Sequence, residues 1–278
     1  MFKYLLNLTV KIKSAIIFVL LWMLNGSAYG YCIQQWACFS VEENGQHVEV
    51  FLENKQPFVI TSTLSLATSN LRSATAQQNA YQLTRVLQGF EKQQILWLYP
   101  QDVTKAFSYR DLEFNWTPGN MYAKHDDQQL YLQPFAAHSN YPVIQGYSGS
   151  WSHFGPSKYA LDFDMPVGTP VHAARGGLVI DLTEHHSKGG PERRFSRFAN
   201  FVTLLHSDET TGEYYHLRQN GVVVKVGDKV IAGQLIGYSG NSGFSSMPHL
   251  HFAVYIAKRN GNYQSVPVKF TKPLPLNH

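Results

Sequence analysis

The chain is poor in the features that mark non-globular proteins. Only 15% of its 278 residues are charged, and it has no charge block, no low-complexity tract and no sustained heptad pattern. That excludes a charged tail, a linker-like chain and a long coiled coil. With 44% hydrophobic residues it has enough apolar side chain to build a core, which excludes disorder. Basic surface is scarce as well, since only Arg193-Arg194 with Arg197 approaches a dense cationic stretch. No nucleic-acid partner is expected from so little. Cysteine is almost absent, with Cys32 and Cys38 alone, and two thiols lacking a second pair or a nearby histidine make a poor metal site.

No long hydrophobic run is present either. The one apolar segment, Ala15 to Leu24, is short against the roughly 20 residues of a membrane-spanning helix. It follows Lys3, Lys11 and Lys13 and gives way to Asn25-Gly26-Ser27-Ala28-Tyr29-Gly30, the pattern of a signal peptide over residues 1–30. Ala28 and Gly30 fit the small-residue positions of a cleavage site, so the mature chain is expected to begin at Tyr31 and to hold no stable membrane span. The expected location is outside the cytoplasm, periplasmic or secreted. Three units of the formal net charge of +4 belong to those lysines, leaving +1, so charge selects no partner. In an exported chain the close pair Cys32 and Cys38 is expected to form a small local disulfide.

What the sequence does have is abundant Tyr, Phe, Val and Thr punctuated by 21 Gly and 13 Pro, which predicts a mostly β protein of short strands and turns. The length favours two domains. Val48-Glu49-Val50-Phe51-Leu52, Phe58-Val59-Ile60-Thr61 and Leu96-Trp97-Leu98-Tyr99 read as strands of a small β-sandwich-like N-terminal domain over 31–135, with Ala74 to Gln88 as a short helix or long connection. His47, His125 and His138 in this half read as solvated or structural. After Pro134 the texture becomes glycine-rich, and residues 136–278 read as a second domain built on an antiparallel sheet. Its expected strands are 159–163, 170–173, 177–182, 201–206, 214–217, 222–224 and 250–256. The stretch Thr183 to Ala199, with Gly189-Gly190-Pro191, is a long irregular insertion of the sort that lines binding sites.

The strongest chemical signal is His249-Leu250-His251-Phe252 within an apolar run. On a strand, residues two apart share a face, so both imidazoles reach one place. Converging neutral imidazoles suit Zn²⁺, provided other ligands exist. Asp162 supplies a carboxylate inside the apolar strand Tyr159-Ala160-Leu161-Asp162-Phe163, where an unpaired charge is costly. His153 lies a loop upstream, and His216 sits among large apolar groups in Tyr214-Tyr215-His216-Leu217. Several such polar residues in one small domain point to a site.

These residues belong to an ordered set. Ala160-Leu161-Asp162-Phe163, Gly168-Thr169-Pro170-Val171, Ala173-Ala174 with Gly177, Asn200-Phe201-Val202 with His206, Tyr215-His216-Leu217, Val226-Gly227-Asp228-Lys229-Val230 with Gly233-Gln234, and Pro248-His249-Leu250-His251-Phe252 follow one another through residues 145–256. In this the second domain resembles the lysostaphin-type, LytM-like zinc metallopeptidases (peptidase family M23), which cut peptide cross-links in bacterial peptidoglycan. The resemblance implies that His153, Asp162 and His251 bind Zn²⁺, and that His216 and His249 flank the metal as general base and oxyanion stabiliser. The expected function is a zinc-dependent endopeptidase acting on peptidoglycan peptide cross-links.

Three positions depart from the family pattern. The family's first histidine commonly lies four residues before its aspartate, where this chain has Lys158, so using His153 requires Phe154 to Leu161 to bulge. Asp164 competes with Asp162 on the same strand face, but its distance to Gly168 does not fit. Met247 replaces the glycine that usually precedes Pro-His-Leu-His. The displaced first histidine motivates the alternative of a noncatalytic relative that binds cell wall or activates another hydrolase. A cupin would need a Glu soon after His251, and an amidohydrolase barrel would need far more chain after its H-x-H. His172 and His206 read as packed or hydrogen-bonded strand residues, and His185 and His186 as loop residues available to substrate.

Overall fold

A computed structural model of the chain describes residues 28–76 and 78–274. The expected signal segment lies outside the described residues except for Ala28–Gly30, which open the first strand. Among the described residues no helix is long and apolar enough to cross a membrane. The chain divides into two compact units: one runs up to Met121 and includes Lys258–Asn262, and the other takes Tyr122–Ala257 and the residues from Tyr263 on. The division thus falls upstream of the position near 135 where the glycine-rich texture begins. The reason is that Tyr131 and Phe135 are fully committed to the second unit's core.

The N-terminal unit comprises β1 (Ala28–Ile33), β2 (Ala37–Glu43), β3 (Val48–Asn54), β4 (Ile60–Ser69), β5 (Leu71–Arg72), β6 (Ala80–Leu87), β7 (Lys92–Pro100) and β8 (Ser108–Pro118). They form a five-stranded sheet in the order β1-β2-β3-β7-β5 and a three-stranded sheet in the order β6-β4-β8. Alternation drives the arrangement: in β3 Val48, Val50 and Leu52 are buried while Glu49, Phe51 and Glu53 are partly exposed. The sheets meet through aromatic pairs, Phe39 against Phe114 at 5.1 Å and Trp36 stacked on Trp116 at 4.2 Å. Cys32 and Cys38 form the expected disulfide, tying directly paired positions of β1 and β2. The segment expected as a helix or connection contains a full strand instead. β6 pairs with β4 from Ile60 opposite Leu87 to Ala67 opposite Ala80, its polar residues giving it weak periodicity because it lies at a sheet edge.

The second unit contains β9 (Leu130–Tyr131), β10 (Val143–Gln145), β11 (Leu161–Phe163), β12 (Pro170–His172), β13 (Gly177–Thr183), β14 (Gly189–Gly190), β15 (Phe201–Leu205), β16 (Thr211–Tyr215) and β17 (Leu217–Val222). After them come β18 (Lys229–Val230), β19 (Leu235–Ser239), β20 (Gly243–Phe244), β21 (Leu250–Ala257), β22 (Tyr263–Val266) and β23 (Lys269–Phe270). Its main sheet runs β10-β11-β21-β16-β15-β13-β18 with β22 added alongside β21, and a small sheet runs β12-β19-β17. All the pairings within these two sheets are antiparallel. Alternate residues of the central strands, among them Leu250, Phe252 and Val254 of β21 and Tyr214 of β16, join Val171, Leu217 and Ile236 of the small sheet in one core. Burying a side chain such as Phe252 contributes about 1.5–3 kcal/mol, so the core fixes which face of β21 is left for His251.

Candidate metal centre

The candidate site residues on the strands, Asp162 and His251, sit on the other face of the main sheet. In register, Asp162 of β11 lies opposite His251 of β21, and His251 lies opposite Tyr215 of β16. Directly opposed residues have neighbouring side chains, so Asp162 and His251 are brought together by the hydrogen-bonded ladder itself. Their contact is 2.8 Å, from His251 Nδ1 to Asp162 Oδ1. His153 reaches the same oxygen from a turn, its Nε2 lying 3.1 Å from Asp162 Oδ1. The long spacing from His153 to Asp162 is taken up by a 3-10 turn at Gly155–Ser157, with Gly155 at φ +55°. Lys158 is exposed, with its ammonium over the Tyr159 ring, and takes no part in the cluster. It is Asp162, and not Asp164, that faces the histidines.

All three residues are buried: His153 is 0% exposed, Asp162 3% and His251 5%. Burial would push the Asp162 carboxyl up, but the hydrogen bonds from His153 and His251 outweigh it and hold the group well below the usual carboxylate range. Burial also lowers His251 to about 4, against the opposing pull of Asp162, so the pair at neutral pH is a carboxylate facing a neutral imidazole. His153 Nδ1 lies 2.9 Å from the Gly146 carbonyl, to which it donates, while its Nε2 faces Asp162 Oδ1. His251 Nε2 is buried without a partner. Two ring nitrogens thus converge on one anionic oxygen in a buried site that leaves a further nitrogen unsatisfied, an arrangement that suits a cation. Ligands at ~2.0 Å around a tetrahedral ion stand about 3.3 Å apart, close to the two contacts at Oδ1. The N, O, N donor set therefore fits a metal ion.

Two further histidines border the cluster. His216 follows β16 at φ +66°, a left-handed conformation that breaks the strand expected over Tyr214–Leu217 and turns its ring from the sheet toward His249. Holding a non-glycine residue there costs of order 1–3 kcal/mol, strain of the kind found at functional sites. The two rings lie 4.5 Å apart between centroids. His216 Nδ1 donates to the Ser242 carbonyl at 2.7 Å, and His249 Nδ1 to the Met247 carbonyl at 2.8 Å. A ring that holds its single proton on Nδ1 for such a bond leaves Nε2 as the bare, acceptor nitrogen. His249 Nε2 stands 3.9 Å from Asp162 Oδ2. Burial, with the His249 and His251 rings crowded beside it, lowers His216 well below the ordinary histidine range and keeps it neutral.

The surroundings explain how these rings are held. Asn200 accepts the His186 amide on Oδ1 and donates through Nδ2 to the carbonyls of His186 and Leu217, while Ser242 Oγ donates to Leu217 O and accepts the Asn200 amide. These bonds fasten the 183–199 insertion to the backbone just after His216. The sequence marks Asn200 only as part of a motif, and nothing in it marks Ser242 or the Met247 carbonyl. Met247 has an exposed side chain, so its substitution for glycine leaves the His249 contact to the backbone. The cluster opens into a cleft lined by His216, His249 and His251 together with Trp151, Phe244 and Ser196. Trp151 stacks on Phe244 at 4.9 Å. The insertion contributes Ser196 and Ala199 to this lining, whereas His185 and His186 pack on each other, 4.0 Å between centroids. His206 is 3% exposed and donates from Nδ1 to the Gly176 carbonyl, a packed residue, and the unpartnered Nδ1 of His172 is buried too.

An antiparallel β unit with a buried His-Asp-His cluster at the floor of a cleft and two additional histidines beside it is the framework of a metallopeptidase-like domain. Residues 156–265 match Peptidase family M23, so the second unit contains a domain of that family. Asp162, His216, His249 and His251 fall within the match, and His153 lies just before it. Among curated relatives, the glycyl-glycine endopeptidase ALE-1 of Staphylococcus capitis is 37% identical over 119 residues, 42% of this chain and 30% of the relative. The peptidoglycan DD-endopeptidase ShyA of Vibrio cholerae is 30% identical over 162 residues, 56% of this chain and 35% of the relative. The chain thus spans about a third of the length of these relatives. Among solved structures, the catalytic domain of lysostaphin from Staphylococcus simulans is 31% identical, with 47% of this chain and 88% of that chain covered at a TM-score of 0.32.

Proposed function

We propose that this chain is an exported zinc-dependent endopeptidase that hydrolyses peptide cross-links of bacterial peptidoglycan. The observation that carries the reading is the convergence of His153 Nε2 and His251 Nδ1 on Asp162 Oδ1 beneath a cleft that also presents His216 and His249. His153, Asp162 and His251 would hold Zn²⁺, which when bound supplies Lewis acidity toward the scissile carbonyl and acidifies a water molecule. The remaining chemistry belongs to the side chains. With both Nδ1 protons committed to carbonyls, the Nε2 atoms of His216 and His249 are the positions that exchange protons during reaction. The one that accepts the proton of the attacking water returns that proton to the leaving amine, and the other, when it carries a proton taken from bulk water, donates to the developing oxyanion. Because both carbonyl acceptors are backbone groups, the rings stay oriented through the cycle without needing a flexible partner. The relatives ALE-1 and ShyA, named as a glycyl-glycine endopeptidase and a peptidoglycan DD-endopeptidase, supply the substrate class.

The test is release of peptides from purified peptidoglycan by the zinc-loaded full chain, beside a chelated sample and His249→Ala. Cleavage by the loaded chain is expected, with loss on chelation and a fall of about 100-fold or more in His249→Ala at unchanged zinc content. Zinc-loaded chain that binds the wall without releasing peptides overturns the hydrolytic reading.

A further inference from the structure

Asp162 has two carboxylate oxygens, and the site treats them differently. Oδ1 faces both His153 Nε2 and His251 Nδ1, whereas Oδ2 accepts a 2.9 Å hydrogen bond from Nε2 of Gln145. Gln145 ends β10, directly opposite Asp162 on β11. The same amide nitrogen donates to Ser152 Oγ at 2.7 Å, and Gln145 Oε1 accepts the backbone amides of Trp151 and Ser152 at 3.3 and 3.4 Å. This orientation of the amide is fixed by chemistry, because only its nitrogen can donate to a carboxylate and only its oxygen can accept from an amide. One side chain thereby joins the carboxylate to the turn that delivers His153 and Trp151. The turn closes around it: a Cβ on Gly149 would overlap the Gln145 side chain, so the glycine is required for the close approach.

We propose that Gln145 is a positioning residue for the metal centre, presenting Asp162 through Oδ1 alone and setting the reach of His153 across its long spacing from Asp162. The inference rests on the zinc reading above. Were Oδ2 free, the carboxylate could turn to offer both oxygens, and the His153 turn would lose its link to the strand. Ligands on paired strands need no such device, since the ladder aligns Asp162 with His251. The ligand on a turn does need one, and Gln145 is the side chain that spans the gap.

The experiment compares the full-length wild type with Gln145→Met, which keeps side-chain volume but removes both polar arms, and Gln145→Glu, which keeps the accepting arm and replaces the donor with a like charge. Zinc affinity is read by competition with a chromophoric chelator, and the visible spectrum of each cobalt(II)-substituted form is recorded. Thermal unfolding of the metal-free proteins checks that both variants fold. Expected is a 10- to 100-fold loss of zinc affinity in both variants, the range for groups that orient metal ligands. The cobalt spectrum is expected to weaken as the carboxylate adds its second oxygen. Folded variants whose zinc affinity stays within twofold of wild type, with an unchanged cobalt spectrum, overturn the proposal. A Gln145→Glu protein that matches wild type while Gln145→Met fails also overturns it, because the turn alone would then be what Gln145 serves. If wild type itself takes up no zinc, it is the function proposed above that fails.

Discussion

Replacing His206 by Asn should remove a defined part of the protein's acid sensitivity. His206 is buried, its Nδ1 donates to the Gly176 carbonyl, and its Nε2 has no hydrogen-bond partner. Burial lowers its pKa from 6.5 to about 4, with Arg175 and His125 adding to the shift and the Gly176 bond and Asp208 opposing it. The folded pKa lies below the unfolded one, so between pH 6.5 and 4 the unfolded chain binds the extra proton and stability falls as pH drops. Above pH 6.5 the contribution is fully present. Linkage across that gap amounts to roughly 3 kcal/mol in total, of which about 2 kcal/mol is lost between pH 7.5 and 5. His206→Asn retains a donor near the Gly176 carbonyl but has no titrating ring, and it costs stability at every pH through the space left beside Tyr131. Urea unfolding of the metal-free proteins at pH 7.5 and 5 measures both. The wild-type advantage should shrink by about 2 kcal/mol at pH 5. Parallel stability curves for the two proteins would refute the argument that burial of a neutral His206 makes folding acid-sensitive.

Two other perturbations read separate parts of the molecule. The disulfide closes a loop of about seven residues between paired strands, so a Cys32→Ser/Cys38→Ser protein should lose about 2 kcal/mol of N-terminal-unit stability, seen as an earlier urea transition; an unchanged transition would show that the β1–β2 hairpin is equally constrained without it. In Gly189→Ala the new Cβ would overlap the Asn241 carbonyl oxygen, forcing β14 from its parallel partner β20 and freeing Phe244 beside the cleft. Peptide release should fall severalfold while zinc content is unchanged, and equal activity would mean that the insertion does not shape the cleft.

Some of this site could be read from sequence because strand geometry is local. The alternation in His249-Leu250-His251-Phe252 places two imidazoles on one face whatever else is true, and a carboxylate within Leu161-Asp162-Phe163 signals a buried charge needing partners. Strands β11, β12, β13, β15 and β21 of the second unit were legible for the same reason. What escaped was set by contacts distant in sequence or by backbone conformation. Nothing in Tyr214-Tyr215-His216-Leu217 announces φ +66° at His216, so the segment reads as one strand although it is two. β6 escaped because an edge strand carrying Gln82, Thr84 and Arg85 lacks clean alternation and owes its conformation to pairing with β4. Gln145 escaped because a glutamine at the end of Val-Ile-Gln has no meaning until the turn behind it closes.

That difference also bears on how such a centre tolerates variation. Asp162 and His251 belong to strands far apart in the chain but paired in register, so displacing either means breaking a ladder whose opposite face is packed against Leu250, Phe252 and Tyr214. A one-residue slip would exchange His251 for a core residue, which makes this half of the site all-or-none. His153 stands on a turn, where chain length can change without disturbing a sheet. A spacing of nine residues in place of four is therefore tolerable only for this histidine, and only where something rebuilds its aim. Here the 3-10 turn at Gly155–Ser157 takes up the added length, the Gly146 carbonyl fixes the tautomer, and Gln145 fixes the distance to Asp162. The departure from the common spacing and the glutamine at the end of β10 are accordingly two parts of one solution, and a chain that reverted the spacing by placing its histidine at position 158 would have no further need of the Gln145 link to Trp151 and Ser152.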